Sequence, residues 1–170
     1  MLILGLDPGS LHTGYGLVEK AATGGSSFRV VTAGRLSLPR DMPLPARLAR
    51  LVAGLQGLLA QHRPDLAVLE SPFHGMNART LIVLAQARGA LLATLAGHGL
   101  EIREYTPAEV KSAVTGNGRA DKEQVARMVR LLVGVADRGW PSDATDALAV
   151  ALCCAQRLRL DRLREAAPAR

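Results

Sequence analysis

The chain has 170 residues, of which 48% are hydrophobic, and its formal net charge is +6. This length supports one well-filled core but not two ordinary domains, so we expect one domain over residues 1–165 and a frayed tail at 166–170. The sequence pI of about 10.1 favours an anionic partner, with nucleic acid first and an acidic membrane surface second.

The first part of the chain is predicted to form three strands. Residues 2–6 are apolar or glycine, which suits a strand buried on both faces. Residues 13–19 and 28–34 are predicted as the second and third strands. The turn-rich residues 21–27 between them predict an antiparallel hairpin.

Asp7 stands where the first strand must end. Pro8 cannot donate to a sheet ladder and Gly9 allows a tight turn, so we expect the chain to reverse here. Burying an ionised carboxylate is costly unless cations or hydrogen bonds compensate it. Asp7 therefore either starts an Asx-type turn only or belongs to a site, and this stretch alone leaves both open.

The middle of the chain alternates helices and strands. Residues 37–45 contain several prolines and are predicted as a loop. A short buried strand at 66–69 is followed by Glu70, just as the first strand is followed by Asp7. The remaining predicted elements are a helix from about 47 to before Pro64, a helix at about 77–96, a strand at 100–105, a helix from 107 through Lys111 opened by a capping box, a helix at roughly 121–133 and a last helix from about 142 to 164.

The helix at 77–96 is expected to begin at Asn77 and carries small residues at a spacing of four. Such a stripe permits the close approach of another helix or sheet. The partner is either another part of this chain or a second copy of the protein. The residues of the stripe are Ala85, Gly89, Ala93 and Gly97.

We expect neither a secretory nor a membrane-spanning segment. The apolar start is too short for a signal peptide, and the apolar segment 80–97 is interrupted by Gln86 and Arg88. The protein is therefore expected to be cytoplasmic, without a membrane partner. Cys153 and Cys154 are adjacent in an apolar helical run without metal-binding spacing, which predicts reduced core residues.

The last helix opens with Asp143 and Asp146, which are three residues apart and share one helix face. They either complement the helix dipole or join Asp7 and Glu70 in one site. Four converging carboxylates cannot all stay ionised without cations between them. Oxygen ligands without a nearby cysteine or histidine cluster point to Mg²⁺ or Mn²⁺. Two such ions about 3.5–4 Å apart support phosphodiester cleavage, so the pattern predicts metal-dependent phosphoryl transfer.

Several motifs, each weak alone, form a specific set when combined. They are DPGS with TGYG near the start, LE followed by Phe73 and Asn77, QARG at 86–89, the Lys111 helix, the ADK segment at 120–122 and DATDALAVA. This set resembles the RuvC family of Holliday junction resolvases from Leu2 to about Leu160. The resemblance implies an RNase H-like α/β fold, with a five-stranded mixed sheet of three antiparallel strands followed by two parallel ones, flanked by helices.

The resemblance also implies a function and a metal site. The function is resolution of four-way DNA junctions by paired symmetric nicks, in homologous recombination and DNA repair. Asp7, Glu70, Asp143 and Asp146 match the family's four catalytic metal ligands, which hold two Mg²⁺ ions, with Mn²⁺ as a plausible substitute. Some members have histidine at the position of Asp143. In this chain all four matched residues are carboxylates.

DNA contacts and partners are implied in the same way. Phe73 matches an aromatic that contacts bases near the crossover, although it could instead anchor its loop in the core. Lys111 and Lys122 match basic residues near the scissile phosphate, although both could be solvated helix residues. They are two of only three lysines in the chain. The family further implies a homodimer, because a four-way junction is nearly two-fold symmetric, and work beside the RuvA and RuvB branch-migration proteins.

Three other functions compete with this interpretation. The first motifs also resemble the phosphate loop of actin-like ATPases and sugar kinases, but those proteins need two such domains and the chain supplies one. A junction-binding module without catalysis would not need four carboxylates, which repel DNA when no metal is bound. A nuclease for RNA–DNA hybrids is excluded only through the family resemblance.

Overall fold

A computed structural model describes residues 1–20, 28–71, 78–134 and 139–165 of the chain. Within these ranges the strands and helices alternate much as the sequence predicts. The elements are β1 (Leu2–Asp7), β2 (His12–Lys20), β3 (Phe28–Ser37), α1 (Leu44–His62), β4 (Leu66–Glu70), α2 (Ala78–Gly97), β5 (Glu101–Tyr105), α3 (Pro107–Thr115), α4 (Lys122–Val133) and α5 (Ser142–Glu165).

The strands form one mixed sheet in the order β3-β2-β1-β4-β5. β1 and β3 each pair with β2 in antiparallel fashion. β4 is parallel to β1, and β5 is parallel to β4. The predicted α/β fold, with three antiparallel strands followed by two parallel ones, is confirmed.

The proline-rich loop at 37–45 is shorter than predicted. β3 continues to Ser37 because it pairs with β2 along its whole length, as far as His12. α1 already begins at Leu44, with Pro45 in its first turn. Proline is tolerated there because the first N–H groups of a helix have no intrahelical acceptor.

Side chains alternate across the sheet and fill two cores. Leu4 and Leu6 of β1 face α1 and α2, and they pack among leucines of those helices. Ile3 of β1 and Val68 of β4 face α3, α4 and α5. Residues 147–154 of α5 are at most 1% exposed. This range includes the free cysteines Cys153 and Cys154, whose predicted burial is confirmed. The sheet is therefore covered by helices on both faces.

α2 buries one side and exposes the other. Leu91 and Leu95 are fully buried, whereas Leu81 and Ile82 are 41% and 59% exposed. By length and composition alone, the segment Thr80–Gly97 could also cross a membrane. The core helices of many proteins pass the same test, and Leu91 and Leu95 of α2 pack in the core between this helix and the sheet.

The predicted capping box at the start of α3 is present, with reciprocal hydrogen bonds between Thr106 and Glu109. Three other expectations lie outside the described residues. They concern the hairpin connection at 21–27, the helix start at Asn77 and the tail at 166–170.

Candidate active site

Two carboxylates lie at the C-terminal ends of neighbouring strands. Asp7 ends β1 and Glu70 ends β4, and these strands are parallel. Their register pairs Leu6 with Leu69, so the two carboxylates follow one residue later on adjacent strands. Because successive side chains alternate between faces, Asp7 shares the face of Ile3, which is the α5 side. The same alternation puts Glu70 on that side.

A glycine lets α5 lie directly against the sheet beside these carboxylates. Gly14 is the β2 partner of Asp7. A Cβ atom at Gly14 would lie 1.9 Å from the carbonyl oxygen of Asp143, a distance that no side chain tolerates. The start of α5 is thus held over the end of β1, with Asp143 in its first turn and Asp146 three residues further along the same face.

The four carboxylates interact electrostatically. Burial raises the pKa of Asp7 to about 7, and the charges of Asp146, Glu70 and Asp143 contribute to this increase. Burial and the charge of Asp146 likewise raise the pKa of Glu70. Like charges have this effect only over short distances. The structure therefore brings the four predicted site carboxylates to one place.

The side chains as they stand do not form a chelating cluster. Within the described ranges, no three carboxylate, histidine or cysteine groups lie close enough together to hold one metal ion. Mutual repulsion keeps ionised carboxylates apart, and Asp146 Oδ2 lies instead 2.7 Å from Lys122 Nζ. The donor chemistry nevertheless fits Mg²⁺ or Mn²⁺, because all four groups offer hard oxygen ligands. A divalent cation would also reduce the repulsion that adds to the effect of burial on the pKa of Asp7.

Both predicted lysines lie beside these carboxylates. Lys122 is the first residue of α4, which is fixed by a capping box between Asp121 and Gln124. The hydrogen bond to Asp146 raises the pKa of Lys122. The positive charge of Lys111 lowers the pKa of Glu70 and so partly opposes the effect of burial. The contact of either lysine with a phosphate stays a prediction.

Two arginines at the site were missed by sequence reasoning. Arg35 Nη1 on β3 lies 3.8 Å from Asp143 Oδ2. Arg88 Nη1 on α2 donates a hydrogen bond of 2.6 Å to the backbone carbonyl of Glu70. An arginine in the middle of an apolar helix was a sequence feature that could have identified Arg88. No comparable feature distinguishes Arg35 from the other arginines.

The remaining predicted site residue, Phe73, lies in the segment 72–77, which is outside the described residues. Its proposed contact with bases therefore stays a prediction.

Comparisons with known proteins identify relatives along almost the whole chain. The model of the family described as "Crossover junction endodeoxyribonuclease RuvC" matches residues 3–154. A relative of that name from Syntrophomonas wolfei is 41% identical over 160 residues, which are 94% of this chain and 91% of the relative. A relative of that name from Anaeromyxobacter sp. (strain K) is 48% identical over 153 residues, which are 90% of this chain and 80% of the relative.

A solved structure shows the same fold. Thermus thermophilus RuvC matches with a TM-score of 0.86 and 32% sequence identity, over 95% of this chain and 97% of that one. The Thermus thermophilus protein has also been solved in complex with a Holliday junction substrate, and that structure matches with the same TM-score. The similarity to the Thermus thermophilus protein therefore extends over almost the whole chain.

Proposed function

The chain belongs to the RuvC family of crossover junction endodeoxyribonucleases, and we propose that it resolves four-way DNA junctions by metal-dependent phosphodiester hydrolysis. The curated relatives and the Thermus thermophilus junction complex support the resolvase function. Mg²⁺ is the proposed metal because the donor set is all carboxylate. The family match itself argues against the alternative of an actin-like ATPase or sugar kinase.

One observation carries the proposal. Asp7 and Glu70 end adjacent parallel strands under the start of α5, and burial together with like charges raises the pKa of both. A fold that brings unneutralised carboxylates together loses stability. The arrangement is therefore best explained by a function that requires cations there.

The chain's own residues would divide the work as follows. Asp7, Glu70, Asp143 and Asp146 would hold two divalent ions, which supply an activated water and stabilisation of the leaving oxygen. Lys122 would exchange its ion pair with Asp146 for a DNA phosphate once the carboxylate binds metal. A lysine ammonium suits this role because it contacts phosphate as a compact point charge.

Cleavage of a mobile four-way junction tests the proposal. The assay compares this junction with linear duplex and RNA–DNA hybrid in Mg²⁺, using wild type and Asp7→Asn. We expect symmetric paired nicks in the junction alone, lost in Asp7→Asn. The variant should still bind the junction in EDTA, because phosphate contacts and metal ligation involve different residues. Normal cleavage by Asp7→Asn would refute the site assignment.

Two other outcomes of this assay would identify a different function. Cleavage of the hybrid but not of the junction would assign the same fold and carboxylates to a ribonuclease. Junction binding by wild type without any cleavage would indicate a shape-recognition module. A mobile junction is the suitable substrate because migration presents many sequences at the crossover in turn.

A homodimer through α2 is the second part of the proposal. The outer side of this helix combines exposed Leu81 and Ile82 with the exposed small-residue stripe. A Cβ atom at Gly89 or Gly97 would have no neighbour within 4 Å. An exposed apolar face of this kind is typical of an interface. Two copies related by a two-fold axis would present two sites to the two equivalent strands of a junction.

Matched glycine substitutions test the dimer. Gly89→Arg places a charge in the proposed interface, whereas Gly57→Arg places the same charge on the exposed side of α1, where a Cβ atom also has no neighbour within 4 Å. We expect wild type and Gly57→Arg to have the mass of a dimer by light scattering, and Gly89→Arg that of a monomer. A dimeric Gly89→Arg variant, or a monomeric wild type, would refute this interface.

The proposed cellular setting rests on the family for its partners and on the sequence-based expectation for the cytoplasm. We propose that the protein acts in the cytoplasm in recombination and repair, next to the branch-migration proteins RuvA and RuvB. Restoration of DNA-damage resistance in bacteria that lack their own junction resolvase tests this setting. Asp7→Asn serves as the negative control, and equal restoration by both forms would contradict a role through cleavage.

A further inference from the structure

Among the side chains whose burial the structure describes, Arg88 is the one charged group that is buried, at 9% exposure. Arginine is rarely buried unless its charge and donors are satisfied. Its Nη1 atom donates a hydrogen bond of 2.6 Å to the carbonyl oxygen of Glu70. A helix otherwise dominated by apolar residues thus directs a guanidinium at the backbone of a site residue.

The second partner of Arg88 holds the guanidinium in place. Its Nη2 atom lies 2.8 Å from Glu104 Oε1 on β5, although this ion pair lacks the alignment of a hydrogen bond. The Glu104 side chain is 42% exposed and retains contact with water. The buried, directional bond of Arg88 is therefore the one to Glu70.

The peptide that Arg88 binds follows Glu70, at the end of β4, where the pairing of β4 with β1 has ended. Pairing between β1 and β4 ends at Leu6 and Leu69, one residue before Glu70. On the other side, the N–H of Ser71 donates to the carbonyl of Tyr105 over 2.7 Å. The bond from Arg88 satisfies the carbonyl of this same peptide. The carbonyl oxygen of Glu70 and the N–H of Ser71, which belong to one peptide group, are thus both held by hydrogen bonds. These bonds also fix the direction of the Cα–Cβ bond of Glu70.

We propose that Arg88 is a positioning residue that aims the Glu70 carboxylate at the metal site. This inference rests on the proposed function, because it assigns Glu70 to the metal. Arg88 acts through the backbone, whereas the charges that act on the Glu70 carboxylate itself come from Asp146, Lys111 and Lys122. Partners that orient a metal ligand in this way typically change metal affinity by about 10–100-fold when they are removed.

Titration calorimetry with Mn²⁺ in the absence of DNA tests this role independently of cleavage. Arg88→Met removes the donors and keeps the bulk of the side chain. Arg88→Lys keeps the charge but cannot offer two donors in one plane. Glu104→Gln is the matched control, because it removes the ion pair and leaves the bond between Arg88 and the Glu70 carbonyl. Each variant is also combined with Glu70→Gln, and urea unfolding monitors its stability.

We expect Arg88→Met to weaken Mn²⁺ binding by about tenfold, Arg88→Lys to weaken it less, and Glu104→Gln to bind like wild type. In the Glu70→Gln background, Arg88→Met should cause no further loss, because the ligand that it positions is already gone. A merely structural role would give the same loss in both backgrounds and would overturn the proposal, as would unchanged binding by Arg88→Met.

Two safeguards keep the result decisive. If Arg88→Met fails to fold, Arg88→Lys in the same pair of backgrounds decides by the same criteria. Junction cleavage by wild type, measured separately, reports on the proposed function. Wild type that binds Mn²⁺ with the expected response to Arg88→Met but cleaves no junction would refute the resolvase and leave the positioning role in place.

Discussion

Replacement of Asp7 by asparagine should stabilise the metal-free protein while abolishing its cleavage activity. Burial and the neighbouring carboxylates raise the pKa of Asp7 from an ordinary value of 3.8 to about 7. The folded state therefore binds more protons than the unfolded state between these values, and the free energy of unfolding falls as the pH rises through this window. Asparagine has no charge to lose, so its contribution does not depend on pH.

The raised pKa of Asp7 determines how much the free energy of unfolding should differ between Asp7→Asn and wild type. Since one pKa unit corresponds to about 1.4 kcal/mol, the ionised Asp7 costs the wild type about 4 kcal/mol above pH 7, and less than half of that at about pH 5. Relaxation and entry of water around a buried charge reduce such energies. We therefore expect Asp7→Asn to exceed wild type by about 2–4 kcal/mol above pH 7, with a smaller difference at lower pH.

Urea unfolding in EDTA measures this difference, followed by the fluorescence of Trp140, the single tryptophan. Asp41→Asn is the matched control, because it makes the same chemical change in the exposed loop between β3 and α1, outside the candidate site. Saturating Mg²⁺ should stabilise wild type by about 2.7 kcal/mol at a hundredfold excess over Kd and stabilise Asp7→Asn less. Equal stability of wild type and Asp7→Asn at every pH in EDTA would refute the convergence of the carboxylates.

Two further predictions address the surroundings of the site. Gly14→Ala should destabilise the protein by about 1–3 kcal/mol in urea unfolding, because its Cβ would clash with the Asp143 carbonyl. The matched Gly57→Ala should stabilise the protein by about 0.5–1 kcal/mol. Equal effects of the two substitutions would contradict the close packing of α5. Lys122→Met should change stability by less than about 1 kcal/mol, because the Lys122 side chain is largely exposed. The same substitution should reduce single-turnover junction cleavage by about 10–100-fold. Unchanged cleavage would remove Lys122 from the site.

The sequence by itself determined the order of the elements, whereas the four carboxylates were predicted as one set with the help of the family resemblance. Alternation and apolar runs identify the strands because a side chain's face depends only on its position along its own strand. Asp7 and Glu70 could be placed for the same reason, since each directly follows a buried strand. Pro45 was misjudged, because a proline shortly after a strand reads as loop until the helix that accepts it in its first turn is known.

Only the tertiary structure decided how these elements meet. In the sequence alone, Gly14 resembles any strand glycine, and its importance is visible only once α5 packs on it. Arg88 similarly looks like an interruption of an apolar helix. Its role depends on a contact with Glu70, which is 18 residues away in the sequence. The stripe on α2 could face inward or outward until the burial of its opposite side left it exposed. The physical reason is common to all three cases: periodicity records which side of an element is apolar, whereas contacts between elements depend on helix and strand placement that no local stretch encodes.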